Sequence, residues 1–170
     1  MKKIFKFQGG VSLIELLLYM GILSILLVVL TRTFTQALDV SLESEAGSAL
    51  EQDGNYILAR LAYDIHRANS IATPSVNGSS GSSVGLVING TNYTYNIDAG
   101  SNLSLTVGGI SYPLNNSDSS VSSFSVQRLG NPGKIEDTLK INYTISSRVK
   151  RFAGSEPPVS FQTTLSLRRQ

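Results

Sequence analysis

Hydrophobic positions fall into three regimes along the chain. From residue 11 to residue 30 they are almost continuous, mostly Leu, Ile and Val. At about 1.5 Å per residue such a helix spans roughly 30 Å, the thickness of one bilayer hydrocarbon core. From residue 31 the pattern becomes periodic. Phe34, Leu38, Leu42, Ala46 and Leu50 recur every four residues, and Ile57, Leu61, Ile65 and Ala68 continue the stripe. That spacing predicts an amphipathic continuation of the same helix over 33–72. Gly47 and Gly54 are its weak points, and Thr73-Pro74 is the expected stop. Beyond Pro74 the pattern shortens to alternating runs between turn residues. Residues 84–88 and 91–97 flank Asn89-Gly90, and 103–107 and 110–114 flank Gly108-Gly109, so two tight hairpins are predicted. Three longer strands follow at 121–129, 138–146 and 159–167, with polar loops at 75–83 and 115–120. An N-terminal helix followed by antiparallel strands predicts an α+β fold, the second half of the helix packed on a sheet.

Charge sharpens these boundaries. Only 15% of the 170 residues are charged, and the net charge is +2, too small by itself to imply a nucleic-acid partner. Residues 16–31 carry no charge, and Asp98 and Asp118 are the only charges over 73–127. Residues 31–72 are acidic, with six acids against three bases; residues 128–170 are basic, with eight bases against three acids. The absence of Cys excludes a disulfide framework, and a single His with no Cys makes a zinc enzyme an unsuitable reading. No cofactor or metal is expected.

The leader MKKIFKFQGG places Lys2, Lys3 and Lys6 just before the apolar run, which orients this end toward the cytoplasm. A secretory signal peptide fits poorly: its apolar region is usually about 7–15 residues and ends at a small-residue cleavage site. Here the run is longer and is followed by TRTFTQALD. A plain membrane anchor leaves Glu15 unexplained. A carboxylate in a membrane helix costs on the order of 2.5–3.5 kcal/mol near the centre and less near an end.

The segment GGVSLIELLLYMGILSILLVVL resembles the N-terminus of type IV prepilins and type II secretion pseudopilins. In that family a short basic leader ends in Gly, cleavage follows, and Glu stands fifth in an apolar mature helix. Gly10, Val11 and Glu15 match that spacing. Val11 stands where Phe is commonest, and Arg32 where many major pilins carry Pro. The resemblance implies processing by a membrane prepilin peptidase after Gly10, methylation of the new Val11 amine, and neutralisation of Glu15 by the amine of a neighbouring subunit during assembly. The residues alone leave a second pairing open, since Val11 and Glu15 are i and i+4 in one helix. Cleavage would remove the three leader lysines and leave eleven bases against twelve acids.

The run Asp64, Ile65, His66, Arg67, Ala68 is similar to one at the helix end of minor pilins of the PilW type and J-type pseudopilins. With the missing disulfide loop it favours a minor subunit. The implied organisation is a cleaved leader at 1–10, a membrane and filament-core helix at 11–32, an amphipathic helix at 33–72 and a β-rich domain at 73–170. The implied partners are the peptidase, other pilin-like subunits and a membrane assembly platform. The implied location is the cytoplasmic membrane, N-terminus inside, and then a cell-surface or periplasmic filament, with an initiation or tip role and no catalysis.

Other signals are weaker. Tyr63, His66 and Arg67 read as surface or helix-packing residues. The basic cluster Arg148, Lys150, Arg151, Arg168 and Arg169 could meet DNA phosphates, but no base-reading motif accompanies it; a solvated face, or docking to a neighbour's acidic helix, fits better. N-x-Ser/Thr triplets arise easily in a chain so rich in Ser and Asn. No phosphate-binding Gly loop is present. The competing classes are an unprocessed, monomeric binding module on a permanent anchor and an anchored hydrolase, which lacks paired polar motifs.

Overall fold

A computed structural model describes residues 12–130, 137–151 and 154–167. Among the described residues the sequence pattern becomes one α-helix, α1, Leu13–Arg67, followed by eleven strands. The chain divides into two units, Met1–Ser41 and Leu42–Gln170. In the first, α1 is exposed on every side from Leu13 to Leu38. Its hydroxyls are satisfied internally: Ser24 donates to the Met20 carbonyl (2.7 Å) and Thr31 to that of Leu27 (2.8 Å). A segment without water as a partner needs such back-bonding.

In the second unit, α1 buries Ala46, Leu50, Gly54, Ile57, Leu61, Asp64 and Ile65, one face at helical spacing. This face packs on two antiparallel sheets rather than one. The first sheet contains β1 (Ser70–Thr73), β3 (Ser83–Ile88), β4 (Thr91–Ile97), β5 (Leu103–Val107) and β6 (Ile110–Pro113), in the order β1-β3-β4-β5-β6. The second contains β2 (Ser80–Gly81), β7 (Ser119–Leu129), β8 (Thr138–Ser147) and β11 (Val159–Ser166), in the order β11-β8-β7-β2. β9 (Lys150–Arg151) pairs antiparallel with β10 (Gly154–Ser155). The shared core includes Leu50, Ile57, Leu61 and Ile65 of the helix, Val84, Leu86, Tyr95 and Leu103 of the first sheet, and Val126, Leu139, Ile141 and Tyr143 of the second. The fold is therefore α+β, a long N-terminal helix on antiparallel sheets.

Both predicted hairpins form, with positive φ at Asn89 and Gly90 and at Gly108 and Gly109, as two-residue turns between twisted strands require. Two expectations change. The helix ends at Arg67 instead of running to 72, because residues 70–73 pair with β3 and the Asn69 N–H donates to the Val87 carbonyl (2.8 Å). Residues 80–81, expected in a polar loop, form β2 against β7. Gly54, a weak point by helix propensity, lies against the second sheet. A Cβ there would overlap the Phe161 ring, and the Tyr143 hydroxyl donates to the Gly54 carbonyl (2.8 Å). The Tyr143 and Phe161 rings stack at 5.2 Å.

Candidate functional site

Glu15 lies in the first turn of α1, where the helix dipole favours a negative charge. Ser12 immediately precedes the helix and Glu15 stands three residues on, the spacing of a capping box. The Tyr19 hydroxyl, one turn on, donates to Glu15 Oε1 at 3.1 Å. The other helix side chains around Glu15 are apolar: Leu13, Ile14, Leu16, Leu17, Leu18 and Met20 are all more than half exposed. No Asp, Glu, Lys or Arg follows until Arg32. By length and composition α1 is long and apolar enough to cross a membrane. Gly10 and Val11 lie outside the described residues.

A second polar centre sits at the other end of α1. Asp64 is fully buried. Arg60 Nε donates to its Oδ2 at 3.0 Å, Arg67 Nε to its Oδ1 at 2.9 Å, and Arg67 Nη2 lies 2.8 Å from Oδ1. The Tyr95 hydroxyl of β4 also donates to Oδ2. Burial, with the Asp64 carboxylate as a second cause, pushes the Tyr95 hydroxyl far above the usual tyrosine range. Arg67 lies over the Tyr63 ring at 4.6 Å and the Tyr93 ring at 5.3 Å. The Arg60-Asp64-Arg67 spacing, i−4 and i+3, is visible in the sequence. The Tyr95 partner is not, because it depends on the register of β4. His66 is exposed and its Nδ1 lies 2.9 Å from the Ser166 carbonyl, fastening the end of β11 to the helix.

The polar loop at 115–120 is also built into the fold. Asn115 is buried: its Oδ1 accepts from the Leu103 N–H (2.9 Å), and its amide donates to the Ser119 carbonyl (2.9 Å). Asp53 of α1 accepts from the Asn116 N–H (3.0 Å) and from the Ser119 hydroxyl. Two described basic residues of the C-terminal half bond within the fold. Arg148 donates to the Gly100 carbonyl and to Asn102 Oδ1. Arg128 pairs with Asp137 (2.6 Å) and with the Pro74 and Ser75 carbonyls. Lys150 is exposed; the Arg151 side chain, Arg168 and Arg169 lie outside the described residues. Among those residues no three His, Asp or Glu side chains converge as a metal ion would need. The chain matches no protein-family model, no curated protein and no solved structure.

Proposed function

We propose that the chain is a minor pilin or pseudopilin subunit, made as a membrane precursor, trimmed after Gly10 by a prepilin peptidase, and assembled with other pilin-like chains into a type IV pilus or pseudopilus. The observation that carries this reading is the bare apolar length of α1 with its one carboxylate, Glu15. Within its own unit Leu13 to Leu30 is exposed among the described residues, and so long an apolar surface requires either lipid or the helices of other subunits. Lipid alone penalises Glu15. A bundle of neighbouring helices can supply a cation, and the α-amine created at Val11 by cleavage is such a group. The pair then fixes axial register while the apolar faces pack.

The prediction is that the mature chain begins at methylated Val11 in cells that contain the peptidase and retains residues 1–10 in cells that lack it, measured by the mass of the N-terminal peptide. Glu15→Ala should be trimmed normally and yet be depleted from sheared filament fractions. Normal incorporation of that variant removes the assembly role of Glu15.

One observation favours a second reading, a membrane-anchored binding module that is neither processed nor polymerised. The Tyr19 hydroxyl already gives Glu15 a partner within its own helix, so the acid can be partly satisfied without a neighbour. A leader retained in the presence of the peptidase selects this alternative.

A further inference from the structure

The first sheet extends past the helix that covers it. Tyr95, opposite Leu105, lies under α1 and is buried, whereas Tyr112, opposite Leu105 on β6, is 51% exposed. Ile110, opposite Val107, is 59% exposed. The helix edge facing this bare strip carries Tyr56, Arg60, Tyr63 and Arg67, at successive turns, with Tyr56 54% and Tyr63 57% exposed. Between them lies an open groove of about 460 Å³, lined by Tyr56, Arg60, Tyr93, Val107, Tyr112 and Pro113. Tyrosine and arginine over an apolar floor is the composition of an interface centre, since both give large contact area at low entropic cost. Among the described residues Arg60 is the charged one lining this groove.

A second groove of the same unit has the opposite sign. It runs between the Leu42–Gln52 turns of α1 and the loop at 116–118, has a volume of about 500 Å³, and is lined by Leu42, Glu45, Ala49, Asp118 and Val149 among others. Glu45 and Asp118 are exposed, and no base is among the described residues that line it. Arg148, whose backbone N–H donates to the Asp118 carbonyl, holds its guanidinium on the Gly100 and Ser117 carbonyls and Asn102 Oδ1. The two grooves share a floor of apolar side chains and differ in charge.

We infer that the Tyr56–Arg60–Tyr112 face of one copy docks on the Glu45–Asp118 groove of a second copy. Because the two patches are different surfaces of one chain, the contact is head-to-tail rather than a symmetric pair. This rests on the filament reading and adds to it that copies of this chain adjoin. A single-stranded nucleic acid could also stack on tyrosines beside arginine, but such sites follow the backbone with a run of cations. Here both arginines are already bonded to Asp64, leaving one net positive charge, and Ile110, Val107 and Pro113 suit a protein.

The chain has no cysteine, which allows a direct test. Two differently tagged full-length copies, one Tyr112→Cys and one Glu45→Cys, are co-expressed in membranes that contain a prepilin peptidase and treated with a short bismaleimide. The expected product is a cross-linked pair carrying both tags, with like-tagged pairs absent. Adding Ile110→Ser to the first copy or Asp118→Lys to the second should reduce that product about tenfold, the scale of losing one interface anchor. These side chains are exposed, and an unchanged protease-resistant core confirms that the fold survives. No mixed pair, or like-tagged pairs in equal yield, overturns the inference. So does a labelled oligothymidylate that binds the chain, blocks the mixed pair and is lost with Tyr112→Ala. The N-terminal mass from the same membranes separates the two ideas. Trimmed chain in sheared filaments without the mixed pair defeats this interface and leaves the pilin reading standing; a mixed pair between chains that keep residues 1–10 does the reverse.

Discussion

At the scale of single residues, Asp64 is the group whose removal should cost most. Asp64→Ala leaves Arg60, Arg67 and the Tyr95 hydroxyl without their shared acceptor. Breaking a buried charge pair costs about 3–5 kcal/mol. The two arginines keep 34% and 33% of their side-chain surface exposed, so water screens them and the lower end of that range is expected. Urea unfolding followed by near-UV circular dichroism measures it. The pH response has a defined sign at both extremes. The Asn102 backbone N–H, with the Asn102 amide, the Ser104 hydroxyl and the Gly100 N–H, holds Asp98 below the usual carboxylate range. Its stabilising contribution is therefore complete above the unfolded value, near about pH 4, and is lost as pH falls through the lower folded value. Asp98→Asn should melt below the wild type at neutral pH, and the gap should shrink in acid. At the alkaline end, Tyr95 and Tyr143 are both raised by burial. Absorbance titration should therefore show these two hydroxyls silent through about pH 10, where free tyrosine ionises, and titrating only as the fold opens.

At the scale of elements, Gly54 decides how closely α1 approaches the second sheet. Alanine is the better helix former by about 1 kcal/mol, yet here its methyl group would meet the Phe161 ring. Gly54→Ala should therefore lower stability by about 1–3 kcal/mol, as overpacking does, while Gly47→Ala, with open space at its Cβ position, should be neutral or stabilising. Paired thermal melts of the two variants test this contrast. The same pair shows what a sequence can reveal. Both glycines look alike in the helical stripe, and only the position of Phe161, over a hundred residues on, separates them. The hairpins at Asn89-Gly90 and Gly108-Gly109 were legible because turn chemistry is local. Strands β1 and β2 were not, since four and two residues hold strand geometry only through pairing with β3 and β7. Glu15 was legible because an acid stands out in an apolar run; the Asp64 clamp was half legible, its arginines at helical spacing and its tyrosine hidden by sheet register.

At the scale of the whole molecule, the two units place different demands on their surroundings. Every core side chain, from Ala46 to Ile145, belongs to Leu42–Gln170. The segment Leu13–Leu38 contributes none and exposes leucine, isoleucine and valine throughout. Folding of the second unit should then be independent of the first. A fragment 42–170 is expected to be soluble without detergent and to unfold in one cooperative step, with circular dichroism and tyrosine fluorescence giving the same midpoint. It should also reproduce the Asp64→Ala and Gly54→Ala losses found in the full chain, because the partners of both residues lie within it. The full chain should need detergent or membranes, since its bare apolar surface far exceeds what a soluble monomer tolerates. A fragment that binds hydrophobic dyes and melts without a sharp transition would show that residues before 42 complete the core, and the division into an exposed apolar helix and a self-sufficient head would fail.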